Sequence, residues 1–407
     1  AYIQQALVRL GWTAEPIKDD TTALAASLEI VPQHKQLFSR CVELLSERKE
    51  WSLLDPELIH QQLNQQPFIR TELSLLKRCG EGLANVLQGR IDPLSLLFPK
   101  GDLTDLTNLY QNSAGPQVMN QLVQEAVIAA IGNRPDSRPV RILEIGAGTG
   151  GTTANLLPPL SELASTASVG TVSYLFTDIS PRFTSAAQER FQSYDFVDYA
   201  LLDIETSPQA QGFVNSFDIV IAANVLHATA DLQTTLTHVG QLLSPGGQLI
   251  LLEGTQPVGW IDLIFGLTPG WWKFADTAIR AKHPLISVDR WQTLLKSVGF
   301  ETALALQPKN PDNPALSQSV MIAQRPTVAI KYWGLLGTVA EASPIVACLK
   351  DNDQRFEAWS TVQQQNCDGV VHTLPGTSTE KGQKNMVAAT ESVCRQALET
   401  IQTLANQ

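Results

Sequence analysis

The stretch Val140-Arg-Ile-Leu-Glu-Ile-Gly-Ala-Gly-Thr-Gly-Gly-Thr-Thr153 constrains this chain more than any other. Val140, Ile142, Leu143 and Ile145 read as a buried parallel strand, followed at once by glycines at 146, 148, 150 and 151. Glycine permits a sharp turn and lets a ligand approach backbone that a Cβ would otherwise shield. A helix is expected to open through Thr152 and Thr153 toward Leu156 and Leu157. Such a turn sits at the carboxyl edge of an α/β sheet, where ligands bind.

Dinucleotide folds also use a glycine-rich turn, as Gly-x-Gly-x-x-Gly with an acid on the next strand. Here the glycines at 146, 148 and 150 run Gly-x-Gly-x-Gly, and Glu144 stands just before them. A carboxylate there would repel a pyrophosphate, yet it suits the cationic amino acid end of S-adenosylmethionine. The segment resembles motif I of class I methyltransferases. Glu144, Gly146, Ala147, Gly148, Thr149 and Gly150 are therefore candidate cofactor contacts.

From Val140 onward strands and helices alternate, the mark of a doubly wound sheet. The second strand, Ser173 to Asp178, ends in an acid able to accept both ribose hydroxyls, with Ile179 beside it. The third, Tyr199 to Ile204, ends in Asp203 and Ile204, candidates for the adenine amino group and, through the Ile204 backbone N–H, a ring nitrogen. The fourth, Phe217 to Ala223, is followed by Asn224-Val-Leu-His227, and Asn224 joins the cofactor candidates. The fifth, Gln248 to Glu253, follows the turn Ser244 to Gly247. Strands at 301–306 and 319–323 close the sheet as an antiparallel hairpin, which a plain dinucleotide fold lacks.

Neighbouring strands four and five would bring His227 and Glu253 together at the carboxyl edge. A histidine oriented and made more basic by a carboxylate is a general base suited to neutral pH. The other reading is a satisfied polar histidine without a catalytic task.

Residues 1–115 read as helical, a lid or docking region, with stripes at 36–45, 56–60, 71–77 and 82–87. His34 and His60 read as surface or cap residues, and Tyr110 as a loop residue that either covers a cofactor or packs amphipathically. Residues 116–326 form the α/β core, interrupted at 255–280 by an aromatic insertion with Trp260, Phe265, Trp271, Trp272 and Phe274. That insertion is expected to be either an active-site cover or a hydrophobic hairpin packed on the sheet. Residues 327–407 suggest a small non-catalytic α/β unit, with apolar segments at 332–336, 344–349 and 369–374 and a helix at 391–404. His372 reads as structural there.

Composition narrows the partners. With 29 Lys+Arg against 40 Asp+Glu, the net charge is −11, and no basic run or aromatic-basic stripe points to nucleic acid. No apolar run is long enough to cross a membrane. Five scattered cysteines, never Cys-x-x-Cys, fit small core residues in a reducing cytoplasm and argue against a disulfide frame or zinc. The start at Ala1 suggests a segment of a longer protein.

Together, Leu143 to Thr153, Tyr174 to Ser180, Phe217 to Thr229, Leu251 to Thr255 and the Trp271-Trp-Lys-Phe274 stretch resemble the C-methyltransferase domains of modular polyketide synthases. The resemblance spans roughly residues 1–325, and residues 327–407 resemble, more loosely, the structural half of a ketoreductase. It implies a class I methyltransferase fold, Rossmann-like and seven-stranded, behind a helical lid. It implies S-adenosylmethionine as cofactor and S-adenosylhomocysteine as product. The substrate implied is a β-ketoacyl phosphopantetheine thioester on an acyl carrier protein, methylated at its α-carbon. His227 and Glu253 match the family's catalytic dyad, and Tyr110 matches a further family position. No metal is implied, since the β-keto group already acidifies the α-proton. An O-methyltransferase for a small molecule and an inactive scaffold domain are the alternatives.

Overall fold

Strand β1 (Val140–Ile145) is buried at every position but Arg141, as a strand covered on both faces must be. The computed structural model that shows this describes residues 1–13, 21–47, 55–63, 69–132, 134, 138–164, 171–213, 216–308, 317–327, 332–336, 355–359 and 369–372. They belong to two units, Ala1–Pro326 and Thr327–Gln407.

In the first unit β1 is joined by β2 (Val172–Asp178), β3 (Val197–Leu201), β4 (Phe217–Ala223), β5 (Leu243–Gly254), β6 (Thr302–Leu306) and β7 (Gln318–Gln324). The order across the sheet is β3-β2-β1-β4-β5-β7-β6. β7 runs antiparallel to both neighbours, and the remaining pairs are parallel. The fold is thus the seven-stranded methyltransferase sheet that the closing hairpin implied. β5 begins at Leu243, before the expected turn at Ser244 to Gly247. A register shift against β4 between Phe217 and Ile219 absorbs that turn within the strand.

Register explains why distant residues share one edge. Ile145 lies beside Ala222, and Ala223 lies beside Leu252. The glycine turn, the Asn224–His227 segment and Glu253 therefore emerge side by side. Two apolar clusters cover the two faces of this sheet. The helix Ala114–Gly132 contributes Met119, Val123 and Val127 to one cluster, beside Ile142 and Ile250.

A third cluster is built by the N-terminal helices, and it answers the question of the aromatic insertion. Leu263, Ile264, Leu267, Trp271, Trp272 and Phe274 pack with Leu37, Phe38, Leu75 and Leu83, not on the sheet. The insertion folds as a short helix, Gly259–Ile264, and two 3₁₀ turns, Phe265–Leu267 and Pro269–Trp272. The indole of Trp272 donates to the Gly266 carbonyl at 2.7 Å, pinning one turn on the other. Each fully buried Leu or Ile here contributes roughly 1.5–3 kcal/mol of transfer free energy.

Several local expectations change. The stripes at 71–77 and 82–87 belong to one helix, Arg70–Leu87. Tyr110 lies not in a loop but in the last turn of the helix Thr104–Asn112. His34 and His60 are buried, not surface residues, although His34 does hold the N-cap position of the helix Lys35–Ser46, without a side-chain cap bond. The His34 ring meets the Gln33 amide, and His60 packs edge-on against Tyr2 with ring centroids 5.9 Å apart. Cys41 and Cys79 are buried free thiols, while Cys348, Cys367 and Cys394 fall outside the described residues.

In the second unit three parallel strands, β8 (Tyr332–Leu336), β9 (Arg355–Trp359) and β10 (Gly369–His372), pair in the order β10-β8-β9. The segment at 344–349 and the helix at 391–404 fall outside the described residues. Among those described, no helix is long and apolar enough to cross a membrane.

Candidate active site

Two cavities meet at the carboxyl edge of the sheet. One, about 460 Å³, is lined by Glu144, Gly146, Ala147, Gly148, Thr149 and Asp178, with an apolar wall that includes Leu94, Leu97, Phe98 and Phe183. The other, about 560 Å³, has His227 in its wall, together with Leu73, Leu76, Trp260, Ile261 and Trp271. Tyr110, Pro116, Asn224, Phe265, Thr268, Gly270 and Gln318 line both.

The turn at the first cavity needs its glycines for two separate reasons. Gly146 has φ +57°, and a Cβ there would lie 2.3 Å from Val225 Cγ2, so the loop carrying His227 packs directly on it. Gly148 has φ +53°, but the nearest atom to a Cβ there is the Gly146 carbonyl oxygen at 3.9 Å. Its α-carbon therefore faces space that a ligand can take. Gly150 differs from expectation. Its α-carbon faces Phe191, and it does not line the cavity.

Asp178 is 6% exposed and accepts backbone N–H groups from Gly148 at 3.0 Å and Ser180 at 2.8 Å. Burial raises its pKa, and these bonds hold it back. A carboxylate has about four lone-pair sites, so two backbone donors leave it capacity for hydroxyls.

Glu144 is buried, and its Oε2 accepts from Thr153 Oγ1 and Tyr174 OH, each at 2.5 Å. Burial pushes its carboxyl up to about 7, against the lowering effect of both hydroxyl bonds. A folded pKa above the unfolded value stabilises the fold fully below about pH 4.5, and that stability is lost as pH rises through about 7. The loss is on the order of 3 kcal/mol. Glu144→Gln should therefore flatten the fall in urea stability between pH 5 and 8, measured without ligand. An undiminished slope would show that another group causes it.

The remaining three cofactor candidates are not in either cavity lining. Ile179 is 64% exposed. Asp203 turns its carboxylate to the Glu205 N–H at 2.9 Å, and its backbone N–H donates to Gln211. Ile204 is buried against the sheet, with its carbonyl accepting from His238. Both lie beyond the end of β3, which stops at Leu201, short of the expected Ile204. They remain adjacent to Asp178, whose carbonyl accepts from Leu202 N.

His227 and Glu253 do meet. His227 Nδ1 lies 2.7 Å from Glu253 Oε2. Glu253 is fully buried, and its Oε1 accepts N–H groups from Val225, Leu226 and His227 at 3.1, 2.8 and 3.3 Å. Four donors share this carboxylate and fix the 3₁₀ turn Leu226–Ala228. Since a carboxylate only accepts, Nδ1 carries the hydrogen and Nε2 of the neutral ring keeps its lone pair. The Trp271 ring stands edge-on to the imidazole, centroids 5.1 Å apart.

Tyr110 lines both cavities, and its phenol has no hydrogen-bond partner among the described residues. Burial and the Glu253 charge raise its pKa, so it stays a donor. Asn224, the other residue expected here, holds the left-handed region at φ +53°. No group of three or more His, Cys, Asp or Glu among the described residues is placed to hold a metal.

Sequence reasoning missed two supports. Buried Arg280 donates to the carbonyls of His227 at 2.8 Å, Thr229 at 2.8 Å and Ala230 at 3.0 Å, and to Asp276 at 2.6 Å. Gln318 donates to Asn224 Oδ1 at 3.0 Å across the shared wall. An arginine and a glutamine without a motif carry no local signal of such contacts.

Residues 143–249 match a family described as a methyltransferase domain. The chain is 36% identical over 322 residues to the non-reducing polyketide synthase mapC of Penicillium roqueforti, over 74% of this chain and 12% of that protein. It is 33% identical over 345 residues to the synthase ausA of Penicillium brasilianum, over 78% of this chain and 14% of that protein. The chain thus spans a small part, 12–14%, of the length of these curated relatives. Among solved structures it resembles the CurJ carbon methyltransferase, at 43% identity and TM-score 0.74, over 80% of this chain and 89% of that one. It also resembles the citrinin polyketide synthase CMeT domain, at 29% identity and TM-score 0.70, over 80% of this chain and 87% of that one. Its sheet order, its glycine turn and these likenesses agree: the chain belongs to the S-adenosylmethionine-dependent carbon-methyltransferase domains of polyketide synthases.

Proposed function

We propose that this chain methylates the α-carbon of a β-ketoacyl thioester borne by an acyl carrier protein, with His227 as general base and Glu253 as its support. The observation that carries this reading is His227, held by the fully buried Glu253, in the wall of a largely apolar cavity that adjoins the glycine-turn cavity.

The glycine-turn cavity fits S-adenosylmethionine. Gly148 leaves backbone open, Asp178 retains acceptor capacity for ribose, Glu144 suits a cationic amine, and the wall of Leu94, Leu97, Phe98 and Phe183 suits an adenine ring. Asp203 and Ile204 would reach the adenine only from the rim. When bound, the cofactor supplies an electrophilic methyl group and leaves as S-adenosylhomocysteine.

Neutral His227 takes the proton from the carbon between ketone and thioester carbonyl onto Nε2. The electron pair left behind spreads over that carbon and the two oxygens as an enolate. Glu253 stabilises the imidazolium formed, much as a buried carboxylate serves other catalytic histidines. The protonated phenol of Tyr110 can donate to an acceptor oxygen or cover the cofactor. Apolar walls from Trp260, Ile261 and Trp271 exclude water from the enolate. Holding the reactants in near-attack geometry supplies much of the acceleration.

Carrier protein and neighbouring synthase domains are the partners in this reading. Residues 327–407 are read as part of a ketoreductase structural half, a reading supported by the sequence resemblance and three parallel strands. Mass spectrometry of carrier-bound acetoacetyl thioester, incubated with the protein and S-adenosylmethionine, tests the reaction. One added methyl on the α-carbon is expected. No transfer despite confirmed cofactor binding would overturn the reading and favour a free hydroxyl substrate or a scaffold role.

A further inference from the structure

An enolate needs more than a base. Charge that leaves the α-carbon collects on two carbonyl oxygens, and a donor preorganised toward them lowers the barrier. The wall shared by the two cavities holds three side-chain donors with a free hydrogen, the Tyr110 phenol, the Asn224 amide and the second hydrogen of the Gln318 amide.

Asn224 stands out from its neighbours. It directly follows β4, it is a non-glycine residue at φ +53°, and its own N–H donates to the Leu252 carbonyl at 2.7 Å. The left-handed region is uncommon outside glycine, and such strain concentrates at functional sites. A free carboxamide in that place could turn either its oxygen or its nitrogen toward the substrate. Only the nitrogen would help an enolate, because the oxygen would repel it.

Gln318, at the first position of β7, removes the choice. Its Nε2 donates to Asn224 Oδ1 at 3.0 Å, so the Asn224 oxygen is occupied. Asn224 Nδ2 has no partner among the described residues, and the side chain lines both cavities. We propose that Gln318 is a positioning residue for methyl transfer: by occupying Asn224 Oδ1 it presents Asn224 Nδ2–H to the oxygen on which enolate charge develops. This rests on the acceptor reading above and assigns Asn224 to the acceptor as well as to the cofactor's edge. The ligand chemistry it selects is a 1,3-dicarbonyl that enolises, rather than a hydroxyl that is merely deprotonated.

The test is a double-mutant cycle, read by single-turnover methylation of carrier-bound acetoacetyl thioester and by solvent-deuterium exchange at its α-carbon. Gln318→Met keeps shape and removes the donor, whereas Asn224→Gly keeps the backbone conformation and removes the amide. Asn224→Gly should slow both readouts about 10²-fold, the size seen for a lost oxyanion donor. At saturating S-adenosylmethionine, Gln318→Met should slow both about tenfold, and should add nothing in the Asn224→Gly background. Full rate in Gln318→Met, or losses that multiply in the double variant, would overturn the positioning role. An unsubstituted protein that neither exchanges nor methylates would instead overturn the acceptor reading, and this inference with it.

Discussion

His227→Ala is expected to slow methyl transfer to carrier-bound acetoacetyl thioester by about 10²- to 10⁴-fold, the usual contribution of a positioned general base. S-adenosylmethionine affinity should stay as it was, because His227 lines the acceptor cavity and not the glycine-turn cavity. The two readouts are single-turnover kinetics and a calorimetric cofactor titration. The substitution also leaves the buried Glu253 Oε2 without its 2.7 Å partner, so some loss of urea stability should accompany it. Turnover like that of the unsubstituted protein would remove His227 from the mechanism. Loss of cofactor affinity in step with turnover would mean that its role is to shape the site.

Arg280→Met is expected to destabilise the first unit by about 3–5 kcal/mol, the cost of leaving one member of a buried ion pair alone. Arg280 is 1% exposed and Asp276 is its ion-pair partner at 2.6 Å. The guanidinium also satisfies three carbonyls from the loop after β4, which methionine cannot do. Because one of them belongs to His227, turnover should fall beyond what partial unfolding explains when measured well below the urea midpoint. Unfolding curves that superimpose would show that water or a rearranged loop replaces the strap.

Both residues act on the same loop, yet only one was legible beforehand. His227 announced itself because it follows a strand end, and a strand end in a parallel sheet has a known edge. Glu253 did so for the same reason, and the register of β4 with β5 brings the two together. Arg280 sits 53 residues beyond His227, in a segment without regular secondary structure. Nothing periodic connects them.

The same contrast runs through the cofactor side. Glu144, Gly146, Ala147, Gly148, Thr149, Asp178 and Asn224 all line the cavities as their places on β1, β2 and β4 required. Asp203 and Ile204 do not, because β3 ends early at Leu201 and Gln211 turns back to bind the Asp203 backbone. Tyr110 reaches the site from a helix and not a loop, its backbone packed against the turn at Gly151.

Sequence alone determined the sheet, its closing hairpin, the glycine turn and the pairing of His227 with Glu253. Each follows from a period, a spacing or a strand end, all of which are set by neighbours along the chain. Only the tertiary structure decided that the aromatic insertion joins the core of the N-terminal helices, and that Asp262 within it pairs with Arg40, 222 residues away. It alone brought Gln318 to Asn224 and Arg280 to His227. Those contacts depend on how finished elements pack, and packing is chosen by shape and volume across the whole core, for which no local pattern of residues is a substitute.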